Sequence, residues 1–341
     1  MHIAYIVCPN GLGHLRRTLT IVDELLKRKK FRVTIFAEIN YYSSKLLNKK
    51  MTIKENLKVE DIKLPHPVYN LNDFNYDSKI KEFKNKLSNY DLIFSDNLIY
   101  PVAECSFERV IFVSQFFWHN VKTDYKNKAK NKELIQLEEE IINQEKPLIF
   151  GSGIFAMEEL RNLDKFFPIN NIRHPFFQKK RIPNSQEYLL ITDGTTSASS
   201  EFLNSKLSCI EYFCKENNLK LFISPRLDKN KLSSEFEIFD YSYSSFSKVL
   251  AGICRPGLGV LTDLIFSSSI PIPLFLEDNN ELLFNKNVID KFFGFENNDI
   301  TLILKNVINK KVRLSQIASN FEFNGEEQII KYIEKEFNLL N

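Results

Sequence analysis

Glycine is scarce in this 341-residue chain, at ten residues, and tryptophan occurs once. No low-complexity tract or short repeat is present, and abundant Asn and Lys are scattered through otherwise periodic segments, which excludes a disordered or fibrous build. No apolar run approaches the roughly 20 residues needed to span a bilayer. The stretch after Met1 is five apolar residues long and breaks at "CPNG", so no secretory signal is expected. An excess of one charge is also lacking: 46 basic against 43 acidic side chains leave a net +3, too little for a nucleic-acid footprint. The five cysteines, Cys8, Cys105, Cys209, Cys214 and Cys254, show no metal-ligand spacing, and three lie in apolar runs; a reduced, cytoplasmic setting follows. Two basic clusters, "KRKK" at Lys27–Lys30 and "QKKR" at Gln178–Arg181, read either as solvated faces or as peripheral contacts with the inner face of a membrane.

What is present is a soluble globular composition, 43% hydrophobic and 26% charged, in a chain long enough for two domains. "HIAYIV" reads as a buried strand, "GLGHLRR" as its turn, "RRTLTIVDELLKRKK" as an amphipathic helix and "FRVTIFAE" as a second strand, together a βαβ unit. "YDLIFSDN", "ERVIFVSQ" and "KPLIFGSG" add strands ending at Asp96, Ser114 and Gly151. After "RHPFFQKKRIPN", a proline-bearing basic linker, the pattern restarts with "EYLLITDGTTS", "LKLFISPR", which ends at Arg226, and "FEIFDYS", which contains Tyr241. The expected architecture is α/β, with two Rossmann-like domains of parallel strands covered by helices on both faces, facing a cleft. The expected boundaries are 1–176 for the first domain, 177–186 for the linker, 187–325 for the second domain, and 326–341 for a final helix packing back on the first.

In such sheets ligands collect at the carboxyl ends of strands. The first glycine turn brings Gly11 and Gly13 there, where a bare backbone approaches a ligand and a helix start offers unpaired N–H groups, with His14 following. Asp96 closes another strand at the same edge; it either caps the next helix or orients the imidazole, and the two roles are compatible. "FFWHN" puts Trp118 just past a strand end, where aromatic side chains form an acceptor wall, with core packing beneath a loop as the alternative for Phe116 and Phe117. The most specific stretch is "GICRPGLGVLTDLIFSSSIPIPLFLEDNNELLFNKN". It reads as a strand, a turn containing Arg255, Gly257, Leu258 and Gly259, a helix whose start suits a diphosphate with Asp263 one turn in, and a further strand "IPIPLFLE" leading to Asn280 and Glu281.

These residues resemble the nucleotide-sugar glycosyltransferases of GT-B fold. "GLGHLRR" is similar to their amino-terminal glycine loop and histidine. "CRPGLGVLTD" and "NELLFNKNV" resemble the donor signature and sugar-contacting stretch of the group containing MurG and the UDP-glycosyltransferases. "SDNLIYPVAE" and "VSQFFW" are also similar to the glycosyltransferase-like part of plant arabinokinases. The resemblance implies that His14 is a general base and Asp96 its partner. It further implies that Gly257 and Gly259 admit a diphosphate beside Arg255, that Asp263 binds ribose, and that Asn280 and Glu281 contact the donor sugar. Thr195, Thr196 and Ser197 would supply hydroxyl donors, Arg226 and Tyr241 would belong to the donor side, and Arg17, Gly11, Gly13 and Trp118 to the acceptor side.

Three departures stand out: Val260 replaces a small hydroxyl residue, Asp263 replaces the usual Glu, and "TDGTTS" is poorer in glycine than its counterpart. No two aspartates stand two apart, so the metal motif of the other large glycosyltransferase fold is missing; no metal and no cofactor are expected. The expected reaction is inverting transfer from a UDP-sugar to a hydroxyl of a cell-surface glycan or lipid-linked precursor. The rivals are a nucleotide-sugar hydrolase, more distantly an epimerase, and a non-catalytic nucleotide-sugar-binding subunit.

Overall fold

The computed structural model describes residues 1–40, 44, 47, 55–63, 83–99, 105, 109–121, 136, 138–140, 147–175, 177, 186–193, 198–274, 279–295, 299–309 and 320–337. The chain divides into two compact units, Met1–Pro175 with Asn324–Asn341, and Phe176–Phe323.

The first unit is built on strands β1 (His2–Val7), β2 (Arg32–Ala37), β3 (Leu57–Asp61), β4 (Leu92–Asp96), β5 (Val110–Val113), β6 (Leu148–Ser152) and β7 (Phe166–Ile169). All neighbours pair parallel, in the order β3-β2-β1-β4-β5-β6-β7. The chain therefore runs outward from β1 to β3, then returns to the other side of β1 at β4. That reversal is a topological switch point.

The central strands are continuous apolar runs because helices cover both faces of a parallel sheet; β4 and β5 are buried along their whole length. The edge strands β3 and β7 carry no such run and do not stand out in the sequence. β3, "LKVED", is half-exposed and charged. β7 contains Pro168, whose missing N–H is tolerated in a strand with one neighbour.

Helix α1 (Leu12–Leu26) buries Leu15, Leu19, Val22 and Leu25 against this sheet. It starts four residues earlier than the sequence pattern indicates. Gly11 makes the turn by itself at φ 82°, ψ 173°, so Gly13 and His14 belong to the helix's first turn instead of a loop before it.

The second unit comprises β8 (Tyr188–Thr192), α2 (Ala198–Glu216), β9 (Lys220–Ile223), β10 (Glu237–Ile238), β11 (Val249–Cys254), α3 (Leu258–Phe266), β12 (Ile270–Pro273), α4 (Asn280–Phe293) and α5 (Ile300–Ile308). Its parallel sheet has the order β10-β9-β8-β11-β12, with the switch point between β8 and β11. The strand expected over "IPIPLFLE" ends at Pro273, at the sheet edge, where Pro271 and Pro273 cost few ladder bonds.

Of the expected linker 177–186, only Phe177 and Gln186 are described. Phe177 packs its ring on Tyr243, Phe246 and Phe266. Helix α6 (Gly325–Glu336) inserts Ile329, Ile330 and Ile333 into the core shared by α1 and the first sheet. A Cβ on Gly325 would lie 2.1 Å from the Asn170 carbonyl oxygen, so only glycine permits this approach. The basic run at the end of α1 is engaged here: Lys27 and Arg28 pair with Glu24, and Arg28 and Lys30 reach Glu334 of α6.

Candidate functional site

In the first unit β1 and β4 lie side by side, with Val7 in register with Asp96. The chain leaves β1 through Cys8–Asn10 and turns at Gly11, in a backbone region that side chains strain to enter. This turn sends α1 away from the strand ends and puts His14 in its first turn. Arg17 follows one turn later on the same helix face.

Both side chains converge on Asp96. His14 Nδ1 lies 2.5 Å from Asp96 Oδ1, and Arg17 donates from Nε to Oδ2 at 2.9 Å and from Nη2 to Oδ1 at 2.6 Å. Asp96 is fully buried, while His14 and Arg17 are 13% and 12% exposed. Burial pushes the Asp96 carboxyl up, but the charge of Arg17, with His14 and the hydrogen bonds of both, outweighs it and holds the group below its ordinary range. An ionised Asp96 only accepts, so the imidazole nitrogen facing it carries the proton. The 3.2 Å approach of Arg17 Nη2 to His14 Nδ1 is then two donors sharing one oxygen, not a bond between them. Nε2 is left with its lone pair and with no protein partner among the described residues. Gly13, exposed in the same turn, has open space where a side chain would stand.

The chain segment behind Asp96 is held tightly. Asn97 is buried and left-handed at φ 55°, a conformation that asparagine tolerates better than most residues. Its N–H donates to Val113 O at 3.0 Å, its carbonyl accepts from the Trp118 indole at 2.7 Å, and its side chain pairs with the Ser114 hydroxyl. Trp118 and His119 both donate backbone N–H groups to the buried carboxylate of Glu138 at 3.0 Å.

Three sequence expectations are corrected by these contacts. Trp118 is 3% exposed, with its indole N–H already satisfied, so it packs beneath the strand end instead of presenting an acceptor wall. Arg17 commits its guanidinium fork to Asp96, not to the acceptor side. Asp96 does not cap a following helix either: both its oxygens are occupied by side chains of α1, and residues 97–99 are not helical.

In the second unit the turn Arg255–Gly257 leaves β11 beside β8, where the Arg255 N–H donates to Thr192 O at 3.3 Å. Gly257 is the N-cap of α3, with no side-chain cap bond among the described residues, and a helix start of this kind, with its unpaired N–H groups and positive dipole end, suits an anion. Leu258, Gly259 and Val260 form the half-buried first turn; Asp263 is 3% exposed. Asn280 and Glu281 open α4, where Asn279 Oδ1 accepts from the Leu282 N–H at 3.0 Å. Asn285, in the middle of "NELLFNKNV", is buried and donates to Pro256 O at 3.1 Å, tying α4 to the glycine turn.

A hydroxyl network fixes the same strand ends. Asp193, fully buried, accepts from Ser200 Oγ at 2.5 Å and Ser224 Oγ at 2.7 Å. Tyr241, left-handed at φ 57°, brings its hydroxyl to 2.8 Å from Thr192 Oγ1 and 3.3 Å from Ser224 Oγ. Arg226 is exposed, and Thr195, Thr196 and Ser197 lie outside the described residues.

The glycotransferase of kitacinnamycin aligns with this structure at a TM-score of 0.69 and 15% identity, covering 98% of each chain. Phytolacca americana UGT2, complexed with UDP-2fluoro-glucose and pterostilbene, aligns at 0.68 and 11% identity over 98% of this chain and 99% of its own. Acinetobacter baumannii MurG aligns at 0.61 and 12% identity over the same shares. The fold is GT-B. No protein-family model matches the chain, and no curated protein does.

Within this GT-B chain each sheet has its switch point beside a turn at which a helix starts: Gly11 into α1, Gly257 into α3. Sequence reasoning found both turns but missed Asn97, Asp193 and Asn285. The local signal for them is thin, since each is one polar residue whose partners lie elsewhere in the chain. Among the described residues no three His, Cys, Asp or Glu side chains converge as a metal site, and no helix is long and apolar enough to cross a membrane. None of the five cysteines forms a disulfide.

Proposed function

We propose that this chain is a glycosyltransferase that moves a sugar from a nucleotide-activated donor, a UDP-sugar, to an acceptor hydroxyl. The reading is carried by one observation: His14 is held through Nδ1 on a buried carboxylate at the switch point of the first sheet, so its Nε2 is presented as a base. In this mechanism His14 Nε2 takes the proton of the acceptor hydroxyl as its oxygen attacks the anomeric carbon. The bond from that carbon to the diphosphate breaks, and the electron pair leaves on the nucleoside diphosphate. Direct displacement inverts the anomeric centre.

The second unit holds the donor in this reading. The N-terminus of α3 and Arg255 take the diphosphate and stabilise its departure without a metal. Asp263 receives the ribose hydroxyls, Asn280 and Glu281 the sugar, and Tyr241, Arg226 and the hydroxyls of Thr195, Thr196 and Ser197 complete the donor side. The acceptor is a cell-surface glycan or a lipid-linked precursor, met at the inner face of the membrane, with the basic residues 178–181 as the peripheral contact.

The test is nucleoside diphosphate release from a panel of UDP-sugars, with and without acceptors. His14→Ala lowers turnover by about 10²–10⁴-fold, the contribution of a positioned base, while donor binding is unchanged. Unaltered turnover removes His14 from the mechanism, and rapid release of free sugar without acceptor makes water the attacking group.

A further inference from the structure

We propose that Arg17 is a positioning residue of this reaction: by neutralising buried Asp96 it keeps His14 in the tautomer whose Nε2 can accept a proton. The proposal deepens the reading of His14 as the base and rests on it.

A carboxylate with no exposure cannot rely on water for its charge and needs a buried cation or a proton. Arg17 meets that need with two parallel N–H bonds, 2.9 and 2.6 Å long, in the fork geometry that suits a carboxylate. The titratable groups near Asp96 other than His14 do not substitute for it. Tyr5 of β1 is buried and its phenol is pushed well up, so it stays uncharged. The Cys8 thiol adds no positive charge, and β5 ends beside Asp96 at Val113, with the uncharged Ser114 after it.

Without the guanidinium, Asp96 would take up a proton and its O–H would donate to His14 Nδ1. The ring proton would then sit on Nε2, the atom that must be vacant. The chemistry of the imidazole is thus decided by a residue that touches no substrate. A helical spacing of three makes the arrangement local: His14 and Arg17 share one face of α1 and close on the same carboxylate.

The tautomer is measured directly by proton–nitrogen correlation NMR of the imidazoles in the full-length protein, at pH 8 and without ligand. The His14 signals are assigned by their loss in His14→Gln. The wild type is expected to show Nδ1 protonated and Nε2 bare. Arg17→Met is expected to move the proton to Nε2, and Arg17→Lys, which keeps the charge, to retain the wild-type tautomer. Arg17→Met is also expected to lower kcat/KM for UDP-sugar turnover by about 10²-fold or more, mainly through kcat, within the ~10⁴-fold cost of a wrong tautomer in a hydrolytic triad; Lys recovers part of it.

A wild-type protein with Nε2 already protonated overturns the proposal, as does a folded Arg17→Met protein with the tautomer unchanged. Arg17→Gln takes the place of Met if that variant fails to fold, and the wild-type result stands on its own in either case. A tautomer switch in a protein that turns over no donor supports the positioning role and counts against the transfer reading.

Discussion

Asp96→Asn removes the charge on which His14 and Arg17 converge, and its cost can be worked out from the site. Asp96 is fully buried and Arg17 is 12% exposed. Deleting one member of such a pair leaves the other charge without compensation, at about 3–5 kcal/mol. Asparagine keeps the shape and one acceptor oxygen, so the lower end, about 3 kcal/mol, is expected. With a urea dependence of about 1–3 kcal/mol per molar, the unfolding midpoint falls by about 1–3 M. The only tryptophan, Trp118, is buried and bonded to the carbonyl of Asn97, the residue after Asp96, so indole fluorescence reports the first unit specifically. The pH dependence has a definite sign. Because the carboxyl of Asp96 is depressed in the folded state, its contribution is full above the unfolded value of about 4 and is lost as pH falls through the folded one. The gap between wild type and variant is therefore wide at pH 7 and closes below pH 4. Equal midpoints at pH 7, or a gap that persists unchanged at low pH, would refute the reasoning.

Gly11→Ala forces a side chain into a backbone conformation at φ 82° and ψ 173°, at a cost of about 1–3 kcal/mol; because α1 starts there, turnover is expected to fall together with the fluorescence midpoint, and a variant with wild-type stability contradicts the strain. Gly325→Ala puts a methyl group 2.1 Å from a backbone oxygen that cannot rotate away. It should destabilise the first unit by about 1–3 kcal/mol or more, as overpacking does, and α6 should become cleavable by protease; protection equal to wild type would show that the helix can shift at no cost.

Much of this architecture is legible in the chain. "HIAYIV", "YDLIFSDN" and "VLAGIC" are long apolar runs because they lie in the middle of parallel sheets. The edges are not legible. β3 and β7 pair on one side only, so neither needs an apolar run, and Pro168 argues locally against a strand. The start of α1 was misplaced for a similar reason. "GLGH" contains two weak helix formers, and only the backbone angles at Gly11 show that a single residue makes the turn.

The candidate site divides the same way. His14 and Asp96 were readable as partners because each follows an apolar strand and strand ends collect ligands. Trp118 was readable as aromatic but not as buried, since its position depends on Glu138 and Asn97, which flank it from 20 and 21 residues away.

By itself the sequence determined two successive α/β halves, a glycine turn opening a helix in each, and an imidazole and a carboxylate at strand ends of the first. Those are matters of periodicity and local backbone freedom, which neighbouring residues dictate. Only the tertiary structure decided what the carboxylate does with its charge. Arg17 and Asp96 stand 79 residues apart, and a bidentate contact between them exists only when β4 is laid beside β1. No local pattern encodes that pairing, because the energy that makes it, a buried charge meeting its counter-charge, arises after the strands have packed and water has left.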